Sequence, residues 1–431
     1  MNYLYGSSAP SEKKSLWSRS SSNNSQATLT EAKLRDAAHN NRFFSEDEAL
    51  AKARAEPDDE SPLLVVFSPQ DPDNPRNWGI ARKSYAMMVV YMLVIGTSVC
   101  VSGISSASEE ISETFRVSSE VTTLGLVMYV LGFAFGPLLL APLSEYYGRY
   151  FIYVYSWFFL FIFQLPVALA PNIGTIIVCR FIQGFGGSAP IVNTGGTIAD
   201  LFIRDKSGPP MMLFGLFSTC GPPFALVISG YIVLKMGWRW VFWVDMIITG
   251  GLWVIMIITL PETRHSTRLE HKVKRMRKTL RKEGNEKAAR RIFYGHATEE
   301  KSMNILISIH LTRPFRFLFT EPITMGAALY NGFIYGLIFL FNEAFPLVFG
   351  PGGHNFNTGE WGLAFLGIVI GGVIAAACHP IQERYYLKRV AANNGLSVPE
   401  ARMWQSLIGS LFLPISLRTH IPLLDMILYF G

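Results

Sequence analysis

Long apolar runs separated by short polar segments constrain the fold of this chain more than any other feature of its sequence. A hydrocarbon core about 30 Å thick needs about 20 apolar residues for each helical span. Backbone groups in lipid must be paired internally, and these continuous runs lack the alternation of barrel strands. The sequence therefore predicts an all-α integral membrane protein with nine spans. The spans are predicted at residues 84–104, 121–143, 151–170, 173–197, 211–234, 239–260, 322–348, 361–379 and 403–417.

Composition narrows the class of protein further. Half of the residues are hydrophobic and 16% are charged, whereas about a quarter of the residues in a soluble domain are charged. The sequence has no HExxH, P-loop or GxSxG motif, which argues against an enzyme and against an ATP-driven pump. Cys100, Cys179, Cys220 and Cys378 lie in predicted spans without CxxC spacing, so disulfides, metal sites and other cofactors are not expected.

The positions of Lys and Arg predict the orientation of the spans. Basic residues precede the first span at Arg82 and Lys83, occur at Arg149 between the second and third spans, and cluster at 264–291. The loop after the first span is acidic instead, and the loop after the seventh span has almost no positive charge. The N-terminus is therefore predicted to be cytoplasmic, and no cleaved signal peptide is expected before the first span.

Polar segments divide the chain into five predicted regions. These are a largely disordered cytoplasmic tail at 1–80, a six-helix bundle at 81–262, a basic cytoplasmic linker at 263–320, a partial bundle of three spans at 321–417 and a divergent tail at 418–431. The linker has helical spacing; it could lie on the anionic inner leaflet, be simply solvated, or bind a calmodulin-type partner. Two bundles joined in the middle are typical of transporters that bind substrate between repeated halves.

Three ordered motifs carry a family resemblance. They read GPLLLAPLSEYYGR at 136–149, RFIQGFGGSAPIVNTGGTIAD at 180–200 and CGPPFALVISG at 220–230. Together they resemble the signature loop, the fourth-helix motif and the antiporter motif of the major facilitator superfamily. The form APLSE..GR resembles the fungal drug:proton antiporters with twelve spans, in the branch that includes polyamine and multidrug exporters. The resemblance covers about residues 70–417.

The resemblance implies a function and a set of partners. It implies a proton-coupled secondary transporter of the plasma membrane that exports drugs, toxins or polyamines by alternating access. Its partners would be a small organic substrate, protons and membrane lipid, but no nucleic acid, and it would be a monomer. The family pattern is lost after Leu417, where RTHIPLLDMILYFG replaces the expected continuation and three further spans. The alternative is therefore a truncated, transport-inactive or sensor-like membrane protein of the same fold.

The turn at 145–149 predicts an inner charge lock. Glu145 and Arg149 supply a charge pair where the two halves are expected to lock, and the resemblance implies that Arg149 pairs with Asp200 at the end of the fourth span. An ordinary loop ion pair of little energetic value is the alternative.

Arg180 is a charge inside an apolar span, where such residues usually face a cavity and serve transport. The resemblance implies a role in proton coupling; a structural hydrogen bond to a neighbouring helix is the alternative. Gln183, Asn193 and Thr194 continue one semi-polar surface at helical spacing and are predicted to line the substrate cavity. The pair Gly221 and Pro222 predicts a kink in the fifth span.

The seventh span carries a further predicted site. Glu343 is an intramembrane carboxylate that suits proton or substrate handling, with exposure at the outer interface as the alternative. Tyr330 and Asn331 precede it and are predicted to complete the substrate cavity. A carboxylate with aromatic neighbours suits the binding of an organic cation. Asp245 in the sixth span is interpreted as a residue of the outer boundary without a transport role.

Overall fold

Helices form almost all of the membrane-spanning part of the protein. The computed structural model describes residues 43–56, 59, 61–203, 206–294, 312, 314–350, 354, 356–396 and 398–410. Its longer helices are α2 (Ile80–Ser106), α4 (Ser119–Tyr147), α5 (Arg149–Ile162), α7 (Ile173–Leu201), α8 (Gly208–Met236), α9 (Trp238–Thr259), α10 (His265–Lys282), α12 (Pro322–Phe349) and α14 (Leu366–Ala392). The shorter ones are α1 (Glu46–Ala55), α3 (Ser108–Phe115), α6 (Gln164–Ala168), α11 (Glu286–Arg291) and α13 (Thr358–Ala364).

The predicted spans agree with these helices. Within the described residues, seven stretches are long and apolar enough to cross a membrane, and they match the first six predicted spans and the eighth. The predicted seventh span coincides with α12. The ninth is helical at residues 404–410, and its remainder lies outside the described residues. The chain is therefore a multi-pass helical membrane protein.

Close packing of α4 against α7 depends on glycines in both helices. A Cβ added to Gly184 would collide with the backbone carbonyl of Tyr129, and one added to Gly132 would collide with the carbonyl of Phe181. Helices in a membrane gain their contact energy from such close approach, because burial from lipid supplies no hydrophobic driving force. The two helices that carry the most distinctive motifs are therefore held at backbone contact.

Gly184→Ala is expected to lower the thermal unfolding temperature of the detergent-solubilised protein by several degrees, because the added methyl group forces α4 and α7 apart. Overpacking of this kind costs about 1–3 kcal/mol. Gly195→Ala in the same helix is the matched control, since the nearest atom to its Cβ is the Met211 methyl at 3.8 Å. Equal unfolding temperatures for the two variants would contradict this packing.

Residues 43–71 and 268–294 form a separate compact unit. It contains a parallel sheet of order β1-β2-β3, made by β1 (Phe43–Phe44), β2 (Leu63–Val65) and β3 (Ile292–Tyr294). Apolar side chains of α1, β2 and α10 fill its core: Ala49, Ala53, Leu63, Val65, Leu269, Val273, Met276 and Leu280. The apolar face of the linker helix is thus buried within this unit.

A buried lysine joins the two sequence segments of this unit. Lys272 Nζ lies 2.5 Å from Asp71 Oδ2 and 2.7 Å from Glu46 Oε2. Burial lowers the pKa of Lys272, but its hydrogen bonds with Asp71 and Glu46 outweigh that effect and raise the pKa above its ordinary value. The predicted regions follow the linear order of the chain, whereas this unit combines part of the predicted tail with part of the predicted linker. The Ser/Asn-rich beginning of the tail lies outside the described residues.

Candidate functional site

A tight turn between α4 and α5 places Arg149 at the start of a helix. Gly148 adopts φ 100°, which side-chain-bearing residues rarely adopt, and a Cβ there would collide with the Glu262 carboxylate. The chain reverses at this single residue, so α5 begins directly at Arg149. Arg149 is consequently buried and not displayed on a loop.

Three polar groups hold the Arg149 side chain inside the bundle. Its Nη1 donates to Ser144 Oγ at 2.5 Å and to Asn193 Oδ1 at 3.0 Å, and its Nε lies 3.4 Å from Asp200 Oδ2. The guanidinium lies directly against Gly196, where a Cβ would occupy the same space. The contact between Arg149 and Asp200 that the family resemblance implies is present, and it joins helices of one bundle.

Glu145 lies near the end of α4, four residues before Arg149. Glu145 interacts electrostatically with Arg264, which follows α9. The expected charge pair of Glu145 and Arg149 stays a prediction.

Glu262 is a site residue that the sequence analysis missed. Its Oε1 accepts hydrogen bonds from the backbone N–H groups of Arg149 at 3.1 Å and Arg264 at 2.7 Å, and its Oε2 accepts one from Tyr150 at 3.2 Å. It thus caps the first N–H groups of α5, which have no partner within the helix. Burial raises the pKa of Glu262, although these hydrogen bonds act in the opposite direction. In the sequence, the acidic residue just after the apolar span at 239–260 is the feature that could have indicated this role.

Arg180 is fully buried and bound to backbone carbonyls. Its Nη1 donates to Cys100 O at 2.6 Å, its Nη2 to Val101 O at 2.9 Å and its Nε to Gly125 O at 3.2 Å. The guanidinium carbon also lies 4.6 Å from the centre of the Tyr129 ring. Arg180 therefore joins α7 to α2 and α4. This geometry matches the structural alternative, and a role in proton coupling stays a prediction.

An apolar cavity of about 480 Å³ lies between helices of the N-terminal bundle and α12. Its volume and apolar lining are typical of small-molecule sites. Among the described residues, the polar side chains on its wall are two serines and one tyrosine. It is lined by Ser98, Val101, Val130, Phe133, Ala134, Ile191, Ser218, Pro222, Gly332, Tyr335, Gly336 and Phe339.

Five of the predicted cavity residues, all with described side chains, are not among those that line this cavity. Gln183 donates to Phe163 O at 2.8 Å, Asn193 binds Arg149, and Thr194 donates to Pro190 O at 2.5 Å. Tyr330 and Asn331 are exposed on α12. The side chain of Glu343 lies outside the described residues. Gln183 and Asn193 are buried and hydrogen-bonded to neighbouring segments, and a role of the predicted residues in a substrate cavity stays a prediction.

The antiporter motif lies on the cavity wall. Helix α8 continues through Gly221 and Pro222 as one element, and Pro222 lines the cavity. A Cβ at Gly221 would collide with the Ser98 side chain of α2. The motif therefore brings α8 into close contact with α2 beside the cavity; the predicted kink stays a prediction.

Helix α8 contacts the C-terminal part of the chain near both of its ends. Gly208 lies directly against the carboxylate of Glu383 in α14, and Gly230 lies against the backbone of Thr358 in α13. Glu383 also lies 3.7 Å from Arg402 Nη2. An acidic side chain at a helix N-terminus is electrostatically favourable, so this carboxylate holds α14 against the start of α8.

Comparison with known proteins places the fold and motifs in a family. Residues 86–430 match the Major Facilitator Superfamily. The MFS-type transporter paaT of Penicillium rubens is 36% identical over 342 residues, which are 79% of this chain and 61% of that protein. The multidrug transporter mdrA of Aspergillus fumigatus is 35% identical, over 83% of this chain and 58% of its own. The multidrug transporter TPO1_1 of Candida glabrata is 34% identical, over 83% of this chain and 62% of its own.

These relatives are fungal membrane transporters and not enzymes, in agreement with the expectation from sequence. The chain spans about three-fifths of the length of the curated relatives it matches. The match covers both the motif-bearing bundle and the helices after the linker. The chain belongs to the Major Facilitator Superfamily.

Proposed function

We propose that this chain is a proton-coupled secondary transporter that exports small organic molecules by alternating access. The cavity is the observation that carries the proposal, because its apolar wall and few polar groups suit organic compounds of varied structure. Of the lining residues that the structure describes, helix α12 contributes four and the N-terminal bundle contributes the others. Relatives named as multidrug transporters support this substrate class.

The buried network around Arg149 serves as the inner brace of the N-terminal bundle in this proposal. It ties the ends of α4 and α7 to the start of α5, and Glu262 adds the segment that follows α9. A bundle that moves as one body needs its helices fixed to one another at the end where it opens. Glu383 against the start of α8 is then the contact between halves that must separate on that side.

The placement of Lys and Arg supports a cytoplasmic N-terminus. A plasma-membrane location, a monomeric state and the proton as coupling ion complete the proposal and follow from the family resemblance.

A transport assay tests the function. The purified chain is placed in liposomes with an acidic lumen, and rhodamine 6G, a lipophilic fluorescent cation, is added outside. Protons leaving the lumen are expected to drive accumulation of the dye above that in protein-free liposomes, and nigericin is expected to abolish the difference. Absence of protein-dependent accumulation would contradict the proposal.

Filling the cavity is expected to weaken substrate binding. Ala134 is exposed to the cavity, so Ala134→Trp occupies a large part of its volume without displacing core residues. We expect the dissociation constant for rhodamine 6G, measured by fluorescence polarisation in detergent, to rise about tenfold, or about 1.4 kcal/mol. Phe135→Trp at the next position of α4 is the matched control, because Phe135 is exposed but does not line the cavity. An unchanged dissociation constant for Ala134→Trp would exclude the cavity as the binding site.

A further inference from the structure

Asp245 is a buried carboxylate that the transport mechanism above does not use. It is 4% exposed, and its Oδ2 has no hydrogen-bond partner among the described residues. Gly103 of α2 faces it, since a Cβ at Gly103 would lie 3.8 Å from Oδ2. An ionised carboxylate buried without a partner is strongly destabilising, and such a group takes up a proton instead.

Arg180 is the cation that interacts electrostatically with Asp245. Arg180 lies seven residues from the start of α7 and Asp245 seven residues from the start of α9, or about 10 Å along each helix. The other titratable groups that interact with Asp245 are Cys100 on α2 and Tyr129 on α4. Within the described residues, the packed helices α5, α6 and α8 contribute none.

Arg180 does not neutralise Asp245 by direct contact in this arrangement. All of its nitrogen atoms are bound to the carbonyls of Cys100, Val101 and Gly125, and no ion pair within 4.0 Å joins it to Asp245 in the described part of the chain. The guanidinium group that would stabilise an ionised Asp245 is thus hydrogen-bonded to backbone carbonyls of α2 and α4.

The same segment of α2 reaches the cavity, Arg180 and Asp245. Ser98 and Val101 line the cavity, and the carbonyls of Cys100 and Val101 accept from Arg180. Gly103, half a turn further, packs against Asp245. A shift of α2 that accompanies substrate binding would therefore change the distance between Arg180 and Asp245.

We propose that Asp245 is the carboxylate that binds and releases the coupling proton, and that Arg180 controls the release. This inference rests on the proposed function. With Arg180 bound to the α2 carbonyls, Asp245 keeps its proton. When α2 moves and frees the guanidinium, the O–H bond of Asp245 breaks, the proton passes to water, and the carboxylate charge is stabilised by Arg180.

The test compares coupled transport with exchange in the Asp245→Asn variant. The asparagine side chain has nearly the same shape as aspartic acid, but it cannot release a proton. Accumulation of rhodamine 6G driven by a pH gradient is expected to fall at least about tenfold, a barrier change of about 1.4 kcal/mol. Exchange of external dye for internal dye without a gradient is expected to stay within about twofold of the wild-type rate, under 0.5 kcal/mol. Glu113→Gln, at an exposed acid of α3, is the control and should leave both rates unchanged.

Each other outcome overturns the inference. Gradient-driven accumulation that persists in Asp245→Asn shows that another group carries the proton, and loss of both activities shows a structural role only. Wild-type protein that exchanges dye but ignores the gradient overturns the proposed function as well. If Asp245→Asn does not fold, Asp245→Glu is used: it keeps a carboxyl group and should retain coupled accumulation with a shifted pH dependence, and an unchanged pH dependence overturns the inference.

Discussion

Replacing Arg149 with Ala is expected to reduce transport at least about tenfold, a barrier change of about 1.4 kcal/mol. The variant leaves Asp200, Ser144 and Asn193 without the group that joins them. A hydrogen bond to a charged group contributes about 1.5–3 kcal/mol, and a buried partner left unpaired adds a further cost. Transport of rhodamine 6G into proteoliposomes measures the loss.

A double-mutant cycle shows whether Arg149 and Asp200 act as a unit. Arg149→Ala, Asp200→Ala and the double variant are expected to reduce transport by similar factors, because the first substitution already removes the interaction. Arg149→Lys is the matched control for charge: it can face Asp200, but it lacks the planar group that reaches Ser144 and Asn193 together, so it should recover only part of the rate. Losses that simply multiply, or full activity of Arg149→Ala, would mean that the pair is an ordinary ion pair.

Replacing Arg180 with Lys is expected to abolish coupled transport and to lower the thermal unfolding temperature. A lysine keeps the charge, but a single ammonium group cannot reproduce donors directed at carbonyls of both α2 and α4. Loss of two charged hydrogen bonds corresponds to about 3 kcal/mol or more. Unfolding of the detergent-solubilised protein followed by intrinsic fluorescence gives the stability, and the proteoliposome assay gives the rate.

Arg239→Lys is the matched control, because Arg239 belongs to the same bundle but makes fewer hydrogen bonds to backbone carbonyls than Arg180. Arg239 is exposed and donates to one carbonyl, Ala170 O at 3.3 Å, so its replacement should change neither measurement appreciably. A stable and fully coupled Arg180→Lys variant would show that the guanidinium geometry is not required, and it would remove the basis for linking Arg180 to Asp245.

The helices could be predicted from sequence because each carries its own signal. A span needs only a sufficient apolar length, and the predicted 173–197 and 322–348 lie within or match Ile173–Leu201 and Pro322–Phe349. The contact of Arg149 with Asp200 followed from the family resemblance. The two positions are 51 residues apart, and nothing local in the sequence joins them.

The parts that could not be predicted depend on contacts between distant segments. The sheet of the separate unit pairs Leu63 with Ile292, and strands of two or three residues carry no recognisable pattern of their own. The residues that line the cavity could not be predicted for the same reason, because they too depend on contacts between distant segments. Spacing placed Asn193 on a polar face of α7, but only the fold shows that Ser144 and Arg149 already cover it.

Movement of protons in response to substrate tests the central claim of proton-coupled export most directly. Proteoliposomes that contain the purified chain and trapped pyranine are prepared without a pH gradient, and rhodamine 6G is added outside. Entry of the dye in exchange for protons is expected to raise the lumenal pH at a rate that depends on the protein. A lumenal pH that stays constant while dye enters, or that falls, would contradict the account.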